Sequence, residues 1–330
     1  MRALVTGAAG FIGHHVAQAL QDAGWSVRTF DRVRMRGLTP DSHVRLGGQT
    51  PDSHVVGDVL DAEAVARAAE GCDALFHLAA VYSYARRDAE AMLRVNIEGT
   101  RAVLAAAARV GTRRVVMTSS CATCGPVSGR PATEDDHAPA WELGIAYKRS
   151  KIDSEELALD AARDGLDVVV VNPTTPVGPG DARPTPTGAM VAGVASGRIR
   201  AYTDTAINVV DVRDVAAGHL LAYERGGRGE RYLLGGEDVT LRDAFATIAR
   251  HAGRTPPRLG VPWRVALGAA WAADRGLRLV GREPRLLNLD ETRLARLPMT
   301  FSSAKAQREL GYTFRSADAA FADAVAWFAR

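Results

Sequence analysis

A phenol and an ammonium stand four residues apart in Tyr147-Lys148-Arg149-Ser150-Lys151, and together they could move a proton. At i and i+4 they project from one helix face. An ordinary tyrosine titrates near ~10, too high for proton exchange at neutrality. A nearby ammonium favours the phenolate and lowers that value, and the same lysine can hydrogen-bond a nicotinamide ribose. Ser120, the second residue of Ser119-Ser120, would hold a substrate oxygen against the phenol. Asn96 would steady the lysine through backbone and water contacts. This chemistry is hydride transfer to or from a carbinol carbon, with the phenol as acid and base.

Such a reaction needs a dinucleotide, and the chain opens on a place for one. Thr6-Gly7-Ala8-Ala9-Gly10-Phe11-Ile12-Gly13 follows the apolar run Ala3 to Val5 and precedes a helix to about Ala23. That helix repeats Ile12, Val16, Ala19, Leu20 and Ala23 at helical spacing and stops at Gly24. Gly7 permits the turn, Gly10 lets backbone approach phosphate, and Gly13 lets the helix pack closely. The pyrophosphate would sit on the helix's exposed amides. A second strand, Trp25 to Asp31, ends in an acid that can take the ribose hydroxyls.

The rest of the chain must position Ser120, Tyr147 and Lys151 beside that turn. Val55 to Asp58 reads as a third strand, with Asp58 and then Val59 placed to meet the adenine. Ala74 to Ala79 is a fourth, delivering Leu78, Ala79 and Ala80 to the cofactor. A helix over Glu90 to Val110 carries Asn96. Arg114 to Thr118 is the fifth strand, and Asp167 to Val171 is the sixth, ending in Asn172-Pro173. Alternation of this kind predicts an α/β fold: a Rossmann doubly wound parallel sheet with ligands at the strands' carboxyl ends. Residues 1–173 form the dinucleotide-binding unit, with 207–225 returning to it. Residues 174–206 and 226–330 form a smaller mixed α/β substrate-binding region. From Thr174 the chain turns rich in Pro and Gly, as a substrate-facing loop would, and Thr240 with Asp243 forms a capping box.

Composition narrows the class. A chain of 330 residues with 47% hydrophobic and 24% charged residues is that of a soluble globular protein. A net charge of +3 is too mild for nucleic acid or membrane binding, and three cysteines suit a cytoplasmic location. The apolar stretch Val265 to Ala273 is too short to span a bilayer and is closed by Asp274 and Arg275. Cys121-Ala122-Thr123-Cys124 spells C-x-x-C, but Cys72 is the sole other cysteine, so a four-ligand zinc site is absent. The pair reads as small packing residues lining the pocket, and no metal is expected. His77 reads as scaffolding near the cofactor. Thr39 to Val44 recurs as Thr50 to Val55, a local duplication in a surface loop whose two histidines are expected to be exposed.

These segments resemble the extended short-chain dehydrogenase/reductases, also through Val95-Asn96-Ile97-Glu98-Gly99-Thr100, Val209 to Ala216, and Phe301 to Ala306 with Glu309-Leu310-Gly311-Tyr312. Within them the chain is similar to the sugar epimerases associated with hopanoid gene clusters, through Val171 to Pro179, Pro184 to Gly188 and Gly229 to Glu237. It also resembles the dihydroflavonol and cinnamoyl reductases, which reduce carbonyls with NADPH. Cys121-Ala122 stands where the dehydratases of this superfamily carry Asp-Glu, which argues against dehydration. Ile207-Asn208 and Arg296-Leu297-Pro298-Met299 replace the segments that supply cations in sugar-nucleotide epimerases. A diphosphate needs such cations, and Arg183, Arg198, Arg200 or Arg293 would have to provide them.

The resulting expectation is an NAD(P)-dependent enzyme, with a sugar or sugar-nucleotide epimerase placed ahead of an NADPH-dependent carbonyl reductase. Asp31 favours NAD, while Arg32, beside Arg28, Arg34 and Arg36, keeps NADP in view. Ser120, Cys121, Asn172, Arg183, Tyr82 and Tyr202, with Tyr84, would form a polar pocket for a sugar, sugar nucleotide or ketone. The resemblance implies a homodimer through the helices Glu90 to Val110 and Tyr147 to Arg163.

Overall fold

The computed structural model describes residues 1–33, 54–278 and 288–330. Runs of apolar residues buried on both faces build one parallel sheet, as the sequence implies. Its first half is β1 (Arg2–Thr6), α1 (Phe11–Asp22), β2 (Ser26–Asp31), β3 (His54–Val56), α2 (Ala62–Ala69) and β4 (Ala74–His77). A long helix follows as α3 (Ala89–Leu93) and α4 (Gly99–Val110), joined by a π-helical turn over Arg94–Glu98. Then come β5 (Arg114–Thr118), α5 (Ala146–Arg163), β6 (Val168–Pro173), β7 (Thr175–Val177) and α6 (Pro186–Ala195). The chain continues through β8 (Ala201–Thr203), β9 (Ala206–Asp211), α7 (Val212–Arg225), β10 (Arg231–Leu234), β11 (Glu237–Thr240) and α8 (Leu241–His251). Last are β12 (Leu259–Val261), α9 (Trp263–Arg278), α10 (Leu289–Leu294), α11 (Ala304–Leu310) and α12 (Ala317–Phe328).

The seven-stranded sheet has the order β10-β6-β5-β4-β1-β2-β3, so the order reverses between β1 and β4. Alternate residues feed two cores. Ala3, Val5, Phe76 and Val116 meet α1 and α7 on one face. Leu4, Leu75, Val115 and Met117 meet α2, α4 and α5 on the other. A third apolar cluster joins β7, β9, α6, α8 and α12, away from the parallel sheet.

Several expectations change. The strand that was to reach Asp58 stops at Val56, so Asp58 sits in the following turn. Ala23 is exposed, whereas His14 is buried on α1. The Pro/Gly-rich segment from Thr174 contains β7 and α6. Strand β10, placed with the C-terminal region from sequence, pairs with β6 as the seventh parallel strand. Arg34, Arg36 and most of the duplicated segment lie outside the described residues. His54 is half-buried in β3, its Nδ1 2.8 Å from Thr29 Oγ1. The capping box holds: Thr240 Oγ1 accepts from Asp243 N at 3.0 Å.

Among the described residues three histidines are buried and held neutral. Burial lowers His14 and His219 to about 4 and His77 to about 3, with the neighbouring His15 adding to the effect on His14 and Lys151 on His77. Their folded values lie below the unfolded one, so their stabilisation is complete above about 6.5 and is lost as pH falls through the folded values. Urea unfolding measured at stepped pH should show stability falling from pH ~6.5 towards ~4, with a slope of up to ~1.4 kcal/mol per pH unit for each histidine. A flat profile across that window would show that these rings are not neutral in the fold.

Candidate active site

The glycine turn sits at the carboxyl end of β1, where the sheet order reverses. Gly7 has φ +73°, and a Cβ there would lie 2.6 Å from Ala79 N, so the segment after β4 closes directly on the turn. A Cβ at Gly13 would fall 2.1 Å from Gly7 O. The close approach that Gly13 permits is therefore to the turn itself. Phe11 and Ile12 open α1 beside it, and α1 begins with no side-chain cap on its first amides. Asp31, ending β2, accepts from Ala9 N at 2.9 Å and from Arg32 N at 2.8 Å. Arg32 is exposed and reaches Asp58 at 3.6 Å, while Val59 packs under Gly99. Leu78 N donates to Thr6 O, and Ala80 is exposed at the rim. This cradle fits a dinucleotide: backbone donors, a close-approach surface that a Cβ would fill, and a carboxylate at the strand end.

Beside it, β5 delivers Ser120 and α5 delivers Tyr147 and Lys151. The Tyr147 hydroxyl donates to Ser120 Oγ at 3.1 Å, and Ser120 Oγ also accepts from Ala122 N at 3.2 Å. Lys151 Nζ donates to Thr118 O at 3.1 Å. The expected electrostatics differ here. Burial, with Tyr82 adding to it, pushes the Tyr147 phenol up, so it is held protonated. Lys151 is turned to a carbonyl, and burial lowers its ammonium to about 8 against the opposing charge of Glu155.

Asn96 also differs from expectation. Its Oδ1 accepts from Val81 N at 2.8 Å, and its Nδ2 donates to Val81 O and Ser150 Oγ, so it braces the segment after β4 against α5 rather than touching the lysine. The π-helical turn at 94–98 is what aims it there, as such turns often do at functional sites. Thr100 donates to Asn96 O and so accepts from His77 Nε2, which leaves His77 Nδ1 to accept from Thr6. His77 is scaffolding between β1, β4 and the helix, as expected.

Among the described residues the neighbours of the phenol are mainly apolar and aromatic, with Glu291 close enough to raise Tyr82 and Tyr84. Tyr82 and Tyr84 stack against Tyr147 at 4.6 and 5.5 Å between ring centroids. Met92, Ala122, Ile145 and Leu294 complete that cluster. Of the pocket expected from sequence, Tyr82, Tyr84 and Ser120 come together at Tyr147, whereas Asn172, Arg183 and Tyr202 do not join them. Asn172 is fully buried, its Nδ2 lying within hydrogen-bond distance of Ser120 O, Thr123 Oγ1 and Glu155 Oε2, which share its two hydrogens. Tyr202 packs edge-on to Phe245 in the third cluster. Arg183 is exposed, Arg198 and Arg200 bond to Ser196 Oγ and Gly197 O, and Arg293 pairs with Asp290. Cys121 and Cys124 are free thiols packed with Ala132, Leu233 and Phe301. Burial pushes them up to about 11 and about 12, which makes them poor nucleophiles. No group of three metal-ligating residues occurs among the described residues. Pro173 is buried at the β6–β10 pairing.

Two groups escaped the sequence reading. Glu155, four residues beyond Lys151 on the same helical stripe, accepts from Thr123 and Asn172 and pairs with Arg231 at 2.8 Å. The i, i+4, i+8 spacing from Tyr147 was its signal. Lys148 carried no such signal. It is 1% exposed, lies 2.5 Å from Glu142, and donates to Ala122 O and Gly125 O.

A nucleotide cradle at the switch point, with a protonated phenol held against a serine at the next strand ends, defines a nicotinamide-dependent enzyme of the extended short-chain dehydrogenase/reductase type. The chain belongs to the NAD dependent epimerase/dehydratase family, whose sequence model matches residues 3–235. It is 40% identical over 329 residues to the "Putative dihydroflavonol 4-reductase" of Synechocystis, covering 98% of this chain and 93% of that protein. To sterol demethylase protein B of Methylococcus capsulatus it is 38% identical over 330 residues, covering 99% and 98%. The crystal structure of gox2253 superposes with a TM-score of 0.84 at 38% identity, covering 99% of this chain and 97% of that one.

Proposed function

We propose that this protein is a carbonyl reductase, running in reverse as a carbinol dehydrogenase, for a substrate whose reacting carbon is carried on a largely apolar body. The observation that carries this is the cluster around the Tyr147 side chain, made among the described residues of Tyr82, Tyr84, Met92, Ile145 and Leu294, with no cation among them. A sugar diphosphate placed there would lose its hydration without gaining compensating charge. On this ground we place the reductase ahead of the epimerase that the sequence reading put first. A relative named as a reductase, aligned over nearly the whole chain, supports the same reading.

In this role Ser120 and Tyr147 grip the substrate oxygen, and the buried phenol, protonated at neutral pH, hands its proton to that oxygen as charge develops on it. Lys151, anchored on Thr118 O, would hold the nicotinamide ribose through its ammonium. Gly7, Ala9, Gly10 and Gly13 would receive the pyrophosphate. Asp31 would take the adenosine ribose hydroxyls, and this favours NAD over its 2′-phosphorylated form. The bound nicotinamide supplies the hydride. A homodimer through the outer faces of α4 and α5 belongs to the same reading.

Denaturing the purified protein and identifying released nucleotide tests it, followed by nucleotide oxidation assays with aryl or prenyl ketones and with sugar nucleotides. The expected result is no stoichiometric nucleotide, reversible binding of NADH, and turnover of the apolar ketones. Tightly retained NAD, with inversion of a sugar nucleotide and no net oxidation, would overturn it.

A further inference from the structure

The helix α9 turns an apolar face outward. Its inner side is set by buried Ala266 and Ala270 and by Trp263, whose indole N–H donates to Thr292 O at 2.7 Å. Its outer side exposes Val265 at 60% and Trp271 at 56%, and Leu259 on neighbouring β12 is exposed at 63%. Between residues 264 and 277 the exposed charged residues are Arg264 and Arg275, and Arg275 lies over the Trp271 ring. A surface helix ordinarily shows charged residues of both signs to water. Exposed Trp and Val with arginines and no acid are the pattern of a helix lying in a membrane interface.

Charge points to the partner. Residues 254–277 contain Arg254, Arg258, Arg264 and Arg275 against one acid, Asp274, which faces Arg86 at 3.6 Å. The segment therefore carries +3, as much as the entire chain, and the mild average on which the expectation of no membrane contact rested conceals it. All four arginines are exposed. The helix is also tied to the substrate pocket. Thr292 lies on α10, whose Leu294 belongs to the cluster around Tyr147, and Asn288 at the start of α10 donates to Tyr84 O at 2.9 Å.

We propose that α9 docks on an anionic lipid bilayer, with Trp271 and Val265 at the acyl boundary and the arginines on lipid phosphates. Docking sets α9 between the bilayer and α10, whose Leu294 belongs to the cluster around Tyr147. The docking itself is independent of the reaction; delivery of an apolar carbonyl compound from the bilayer rests on the function proposed above.

Full-length protein is sedimented with phosphatidylglycerol–phosphatidylcholine vesicles and with pure phosphatidylcholine vesicles, without substrate or nucleotide. Binding is expected to the anionic vesicles only and to weaken as salt rises. Arg264→Gln and Arg275→Gln should each lower the partition about fivefold, and Trp271→Ser about tenfold. Turnover of a water-soluble ketone without vesicles should be unchanged in all three, which shows that they fold. Failure to sediment with anionic vesicles, or sedimentation indifferent to these substitutions, would overturn the proposal. So would a dimer, seen by light scattering, that Trp271→Ser dissociates, because the face would then be an interface between copies. Loss of vesicle binding leaves the reductase assay untouched, so the two failures are distinguishable.

Discussion

Tyr147→Phe should lower kcat by about a hundredfold to ten-thousandfold while leaving nucleotide affinity and the unfolding midpoint nearly unchanged. The hydroxyl is the proton donor nearest Ser120, and the rest of the ring is packed between Tyr82 and Tyr84. Phenylalanine keeps that packing. Ser120 Oγ loses one donor but keeps Ala122 N, so the stability cost stays near ~1 kcal/mol. Dinucleotide contacts lie on Gly7 to Gly13 and Asp31, which the substitution does not touch. Steady-state kinetics and nucleotide titration on the same preparation check both halves. The pH profile of the unmodified enzyme gives a second readout. Burial lowers Lys151 to about 8, so its ammonium is lost as pH rises through that value, and reduction should decline above it. A Phe variant retaining more than a tenth of the wild-type kcat would remove Tyr147 from the proton path.

What the sequence could disclose was local. The glycine turn was legible because turn, strand and helix lie within about twenty consecutive residues, and Asp31 marks the next strand end. Tyr147 and Lys151 were legible because one helical turn joins them. The pocket walls were not. Tyr82 and Tyr84 arrive after β4, Met92 from α3, Ile145 before α5 and Leu294 from α10, and no periodicity connects these positions. Asn172 looked like a pocket residue because it ends a strand, yet Thr123 and Glu155 draw it into a buried network. Strand β10 was misplaced for a related reason. Its pairing with β6 is set some sixty residues away in sequence, and four residues after a glycine-rich segment carry too weak a strand signal. The phenol's electrostatics were not legible either, since an i, i+4 spacing fixes direction along a helix but not that Lys151 turns to Thr118.

Lys148→Met should be the most destabilising single change near the site, by about 3–5 kcal/mol. The ammonium is buried between the turn over Ala140–Gly144 and the loop after β5. It sits 2.5 Å from Glu142 Oε2 and donates to Ala122 O at 3.0 Å and Gly125 O at 2.7 Å. Glu142 is 0% exposed, so removing Lys148 strands a buried carboxylate that can only respond by taking up a proton. Burial already pushes Glu142 up, and Lys148 is what holds it down. Loss of the ammonium raises Glu142 further, so the variant should regain more stability through this group as pH falls than the unmodified protein does. A Lys148→Met/Glu142→Leu double variant removes both charges and should recover most of the loss, because an apolar replacement of a buried pair is often neutral. Catalysis separates the pair's two effects. Even when refilled by apolar side chains, the double variant lacks the donors that hold Ala122 O and Gly125 O. Ser120 is then less firmly aimed at Tyr147, and kcat should stay about tenfold low although stability returns. Urea unfolding across pH, with kcat measured on each variant, tests the argument. A double variant as unstable as Lys148→Met alone would mean that the carbonyl contacts, and not the ion pair, hold this corner together.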